Sequence, residues 1–162
     1  MTEYALEGAV EIGASGDEIL RWLGQPELMR RWMGVSSVEA SGTGIRVEVS
    51  HGAYAGWTYI GEITERGEDR LVRRYRLAGS HEDDYERTVT YELTSTGRNG
   101  VRLGVTVVTL IPGLDDRAAR MGAKAENRAL DRSLGRLRDA VEGRGRGLLS
   151  RLRGSGGSAG AL

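Results

Sequence analysis

The sequence predicts an α+β fold: a curved antiparallel sheet of about seven strands wrapped around a long C-terminal helix, with two short helices after strand 1. Three observations predict it. Residues 4–12 alternate apolar and polar. Residues from about 35 to 111 keep a period of two, broken by short turn signals. Residues 115–142 switch to a helical period that sets Ala118, Met121, Ala125, Leu130, Leu134, Leu137 and Val141 on one stripe. A sheet that curls around such a helix leaves a space between the two, and the function is expected there.

The elements follow in chain order. In 4–12, Tyr4, Leu6, Val10 and Ile12 face one way while Glu7 and Glu11 face the other, the pattern of a half-buried strand. Ser15-Gly16-Asp17-Glu18 reads as a capping box, with the Ser15 hydroxyl on the Glu18 amide and the Glu18 carboxylate returning to Ser15. The helix it opens carries Ile19, Leu20, Trp22 and Leu23 and stops at Gly24. Pro26 suits the first turn of a second helix, because its missing N–H would be unpaired there anyway. Leu28, Met29, Trp32 and Met33 form the apolar side of that helix.

Strands are expected at about 35–40, 44–51, 53–65, 69–78, 85–95 and 100–111. The turns between them, such as Ser41-Gly42 and Gly97-Arg98-Asn99-Gly100, are short enough for antiparallel hairpins, so the sheet is a meander. Pro112-Gly113-Leu114 breaks the last strand, and Asp115 and Asp116 open the final helix, where negative charge favours the dipole. Residues 143–162 carry four Arg, no acid and many Gly and Ser, and are expected to form a flexible tail beyond a domain at 1–142.

Composition excludes several function classes. Basic and acidic residues balance at 23 each, without the basic excess of a nucleic-acid binder. No cysteine is present, so no disulfide or thiolate metal site can form. Two histidines, His51 and His81, are too few for an ordinary zinc or iron site, and no metal or cofactor is expected. No apolar run reaches membrane-spanning length and no leader is visible, so a soluble cytoplasmic protein is expected.

The two-residue period also sorts the faces. Ile45, Val47, Val49, Trp57, Tyr59, Ile63, Leu71, Tyr75, Leu77, Val89, Tyr91, Leu93, Leu103, Val105 and Val107 point inward. The other face mixes Arg46, Glu48, Glu62, Arg74, Arg76, Glu92 and Arg102, suited to cross-strand charge pairs. Arg73 and Arg87 fall on the inward phase, and a hairpin folded about His81 sets Arg87 opposite Tyr75. A buried guanidinium requires a partner: a ligand carboxylate, a carboxylate such as Glu65 or Asp83, or water at the rim. Alternatively both side chains snorkel outward from strand ends. Trp32, Trp57, Tyr59, Tyr75 and Tyr91 offer flat surfaces with a polar edge for an aromatic ligand, or pack as ordinary core. Met121 and Ala125 are placed on the helix side of the same space. His51 titrates near neutrality and is a candidate base, with Arg73 and Arg87 as the other catalytic candidates, but no neighbouring group completes a relay. The Glu82-Asp83-Asp84 run lacks the spaced oxygens of a calcium loop.

The order β–α–α–β(6)–α resembles the helix-grip fold of the START/SRPBCC superfamily. The stretch from Ser15 to Met33 is similar to that superfamily's opening, an Ala-Pro-x-x-x-Val-Trp helix leading to Asp-Pro-x-x-x-x-x-Trp, with Ala14-Ser15-Gly16 in place of Ala-Pro and Gln25 in place of Asp. Gly100-Val101-Arg102-Leu103 is similar to its Gly-Thr-Arg-Leu strand. The resemblance covers about residues 4–142, and the nearest branches are the polyketide cyclase/dehydrase-like proteins and those like the activator of the large heat-shock chaperone's ATPase. It implies a hydrophobic ligand held between sheet and helix and supplies no universal catalytic motif. The expected function is therefore binding of a small hydrophobic or aromatic molecule. The alternatives are a polyketide cyclase/dehydratase-type enzyme without metal and a chaperone-regulator-like protein-interaction module. No nucleic-acid partner is expected, and Leu148, Leu149 and Leu152 of the tail are too short a segment to anchor at a membrane unaided.

Overall fold

A computed structural model describes residues 2–49, 55–79, 85–97 and 99–155, with side chains placed for 3–143 of these. The elements are β1 (Thr2–Ile12), α1 (Gly16–Gly24), α2 (Pro26–Met29), β2 (Ser37–Ser41), β3 (Gly44–Glu48), β4 (Thr58–Arg66), β5 (Arg70–Leu77), β6 (Glu86–Ser95), β7 (Val101–Ile111) and α3 (Asp116–Ser155). The seven strands form one antiparallel sheet in the order β1-β7-β6-β5-β4-β3-β2. β2 through β7 are a meander, and β1 joins its far edge by pairing Thr2–Ile12 against Ile111–Val101. This is the helix-grip architecture that the pattern predicts.

The inward and outward phases are as the alternation requires. Ile45, Val47, Tyr59, Leu71, Tyr75, Val89, Tyr91, Leu103, Val105 and Val107 are all buried. Tyr75 and Arg87 are direct cross-strand partners. On the outer face Arg70 bridges Glu65 and Glu92, and Arg74 bridges Glu86 at 2.6 Å. These exposed pairs each contribute at most about 1 kcal/mol. A register shift between Ile63 and Glu65 inserts one extra residue in β4, a bulge that bends the strand and helps the sheet curl.

Helix α3 packs chiefly along β1. Gly8 makes this possible: a Cβ there would stand 3.0 Å from Leu134 Cδ1 and 3.1 Å from Leu130 Cδ2, so the leucines lie directly on the strand backbone. The buried stripe of α3 is Ala119, Leu134, Leu137 and Val141, with Ala123, Leu130 and Ala140 partly buried beside it. Met121 is 66% exposed, and Ala118 and Ala125 lie outside the buried set. The sequence reading is correct from Leu130 onward and off by about one residue before it. Counting back from Leu134 in steps of four and three reaches 130, 126, 123 and 119, and position 126 is a glutamate, which a search for apolar residues passes over.

Two other details differ from expectation. The helix continues to Ser155, past residue 142, where it was predicted to give way to a tail. Extending an existing helix is far easier than nucleating one, so the Arg- and Leu-containing stretch propagates it in spite of its glycines. The capping box is half formed: the Glu18 amide donates to Ser15 Oγ at 3.2 Å, but the Glu18 carboxylate accepts from Arg21 and from Trp22 Nε1 instead of returning to Ser15.

Candidate functional site

The sheet has two unlike ends. At the end where β1 finishes and β7 begins, α1 and α2 cover the interior. Trp32 Nε1 donates to the Trp22 carbonyl at 3.0 Å, and Arg136 Nε of α3 donates to the Trp32 carbonyl at 3.0 Å. Arg73 is 1% exposed, and its Nη1 donates to the Leu23 carbonyl at 3.0 Å and contacts Met29 Sδ at 3.2 Å. Leu23 is in the last turn of α1, where unsatisfied carbonyls and the negative end of the helix dipole favour a cation. The partner of Arg73 is therefore a helix end, and the side chain neither snorkels outward nor uses Glu65, which pairs with Arg70. Asp83 lies outside the described residues.

At the opposite end, where β7 finishes, a cleft of about 860 Å³ opens. It is lined by Arg46, Trp57, Thr58, Leu77, Tyr85, Ile111 and Pro112 with small neighbours. Trp57, Tyr59 and Tyr85 form an aromatic cluster there, with ring centroids 5.1 Å apart for Tyr59–Tyr85 and 6.4 Å for each ring to Trp57. Trp57 is 40% exposed, whereas Tyr59 and Tyr85 are buried behind it. A smaller hollow of about 530 Å³ beside the start of α1 is lined by Ser15, Glu68, Asp69, Leu93, Ser95 and their neighbours, with no aromatic residue among them.

Immediately behind the cleft runs one cross-strand row, Ile45–Gly61–Tyr75–Arg87–Thr109–Tyr4, in successive pairs across six strands. Gly61 is required by close approach: a Cβ there would meet Tyr75 Cε1 at 2.6 Å, so the Tyr75 ring lies flat across β4. Arg87 is held from both sides. Its Nε donates to Thr109 Oγ1 at 3.1 Å and its Nη2 to Glu126 Oε1 of α3 at 2.8 Å, and its guanidinium stands 5.5 Å from the Tyr85 ring centre. Burial disfavours its charge, but Tyr85 and Glu126 outweigh that and raise its pKa further above the ordinary arginine value. Burial likewise pushes the Tyr85 hydroxyl well above the usual tyrosine range, with Arg87 opposing. Tyr91, deeper in the sheet, is raised by burial and by Tyr75, again opposed by an arginine, Arg73.

Of the residues named from sequence, Trp57, Tyr59, Tyr75 and Arg87 gather at the open end. Arg73 and Tyr91 lie farther in, and Trp32 belongs to the α1/α2 end, where its ring nitrogen is engaged by the backbone. Met121 and Ala125 face away from the buried stripe, and His51 lies outside the described residues. Two residues of the site were missed. Tyr85 shares the parity of Arg87 and Val89 and was legible as the strand's first inward residue. Glu126 carries no apolar signal, and only the helical count back from Leu134 points to it.

No curated protein matches the chain. Among solved structures, a conserved protein from Geobacillus kaustophilus superposes with a TM-score of 0.66 at 15% identity, covering 85% of this chain and 95% of that one. The Aha1 dimer from Colwellia psychrerythraea gives 0.56 at 15% identity over 86% and 96% of the two chains. DynU16, a protein of the dynemicin biosynthetic locus, gives 0.55 at 23% identity over 85% of this chain, which spans 47% of DynU16. At these identities the likeness establishes the fold alone. The family model for polyketide cyclase / dehydrase and lipid transport matches residues 4–142, the whole of the sheet and the packed part of α3, and so the chain belongs to that family, within the START/SRPBCC superfamily.

Proposed function

We propose that this protein binds a small hydrophobic or aromatic molecule that enters through the cleft at the open end of the sheet and is gripped between sheet and α3. The observation that carries this reading is the aromatic cleft itself: about 860 Å³, with Trp57 presented to solvent over Tyr59 and Tyr85. Small-molecule sites fall at roughly 300–1,000 Å³ and combine apolar walls with a few placed polar groups. Leu77, Ile111 and Pro112 supply the walls, and the Arg87–Glu126 pair lies just behind them. Burying a few hundred Å² of ligand at about 25 cal/mol per Å² leaves room for micromolar affinity after binding costs.

Native mass spectrometry of the protein purified from its own host, followed by extraction, tests this reading. A stoichiometric apolar or aromatic compound that a Trp57→Ala variant releases supports it. An empty protein that also ignores a panel of lipids and polycyclic aromatics rejects it. We treat residues 143–162 as outside the site, so their removal is expected to leave ligand binding unchanged.

A second reading, a polyketide cyclase/dehydratase-type enzyme, has its own support in the family description and in the Tyr85–Arg87–Glu126 cluster, which could polarise a carbonyl. It predicts that Arg87→Lys abolishes turnover of a poly-β-keto substrate while binding survives.

A further inference from the structure

The polar row behind the cleft contains two buried atoms without a hydrogen-bond partner, Glu126 Oε2 and the Tyr75 hydroxyl. Buried polar groups in folded proteins are nearly always paired, so each exception requires an explanation. The two atoms flank the same residue. Tyr75 is the cross-strand partner of Arg87, and Glu126 is its ion-pair partner. Glu126 Oε1 is already committed to Arg87 Nη2, and Arg87 Nε to Thr109 Oγ1.

The chemistry of these two atoms restricts what can complete them. A carboxylate paired with a guanidinium accepts hydrogen bonds and donates none, so the group that meets Oε2 must carry a donor hydrogen. A phenol hydroxyl both donates and accepts, so Tyr75 can bond the oxygen of that same group. A carboxylate end would set a second negative charge against Glu126. An ammonium end would approach Arg87, which keeps its charge. A neutral hydroxyl suits both atoms: it donates to Oε2 and accepts from Tyr75.

The position also fits the cleft. Leu77 and Ile111, which line it, are two residues along the same strand faces from Tyr75 and Thr109. Two residues of strand advance about 7 Å, roughly the length of a two-ring aromatic system. We propose that the cleft takes a neutral hydroxylated aromatic or polycyclic molecule, an alcohol or phenol, oriented by a hydroxyl that donates to Glu126 Oε2 and accepts from the Tyr75 hydroxyl. This rests on reading the cleft as a ligand site, and it names the ligand class.

Three matched probes test it by titration calorimetry: 2-naphthol, 2-methoxynaphthalene and 2-naphthoate. The full chain is expected to bind 2-naphthol about tenfold or more tighter than either analogue, the scale of one well-placed hydrogen bond to a charged acceptor. In Glu126→Gln the amide oxygen stays with Arg87 and the NH2 takes the place of Oε2, turning an acceptor into a donor. That variant is expected to lose the preference for 2-naphthol and to favour 2-methoxynaphthalene. Tyr75→Phe keeps the ring and is expected to reduce 2-naphthol affinity by several-fold while leaving 2-methoxynaphthalene within about twofold. Equal affinities for all three in the unaltered protein, tightest binding of 2-naphthoate, or a 2-naphthol preference that survives both variants would overturn the proposal and leave the cleft as a ligand site. Absence of binding by all three would overturn the ligand site as well.

Discussion

The two ends of the sheet meet the cost of burial in opposite ways. At the α1/α2 end, polar groups find partners in the chain: Trp32 bonds the Trp22 carbonyl, Arg73 bonds the Leu23 carbonyl, and Arg136 ties α3 to the turn after α2. Arg73 Nε alone remains without a partner on that buried side chain. At the cleft end Trp57 is presented to solvent, and the unpaired atoms of Tyr75 and Glu126 lie behind it. Each end has an inward arginine on a neighbouring strand, yet one caps a helix and the other anchors a carboxylate. Closure and stability belong to the first end and recognition to the second, a division that local departures from full satisfaction commonly mark.

Leu23→Ala is expected to have the largest effect. Leu23 is fully buried under the closed end, and its truncation should cost about 2–5 kcal/mol, read as a lower denaturation midpoint. Leu77→Ala, in the cleft wall, should cost clearly less, and equal losses would break the comparison. Trp32→Phe removes the donor to the buried Trp22 carbonyl and should cost about 1–3 kcal/mol without changing ligand affinity.

Gly61→Ala sharpens the comparison, because it acts on the recognition side through packing. Its Cβ would collide with the Tyr75 ring, at a cost of about 1–3 kcal/mol, and the displaced hydroxyl should weaken 2-naphthol binding together with stability.

The tyrosines set a pH dependence. Tyr85 and Tyr91 have folded-state pKa values raised by burial above the ordinary value of about 10. The folded state then resists losing these protons while the unfolded chain releases them. Their contribution is complete below pH ~10 and is lost as the pH rises from there toward the folded values, by about 1.4 kcal/mol per pH unit for each tyrosine. Urea midpoints measured across the alkaline range should fall with that slope, and Tyr91→Phe should flatten it. The smallest expected effect on stability is Trp57→Ala, within about 0.5 kcal/mol because the ring is largely solvated, although the same change should release a bound ligand.

Much of the site's frame was legible because it is local. The hairpin about residue 81 places Tyr75 across from Arg87 by counting alone, and alternation puts Tyr59 and Tyr75 on one face. Tyr85 obeys the same parity and needed only the count to be extended by one pair. The first half of α3 was not legible, since its inward phase passes through Glu126 and the exposed Met121 drew the stripe toward solvent.

The sequence by itself determined the order of elements, the antiparallel meander, the inward phase of each strand and the N-cap at Ser15. These follow from periodicity and short turns, whose physics spans a few residues. Only the tertiary structure decided which partner each buried arginine takes, because Arg73 reaches Leu23 across 50 residues and Arg87 reaches Glu126 across 39. It also decided which end of the sheet is covered and which stays open, since that depends on how α1, α2 and α3 settle against a twisted sheet. Helix rotation is set by the sum of side-chain contacts along the whole interface, with Leu130 and Leu134 seated on Gly8, and this sum is what turns a glutamate inward.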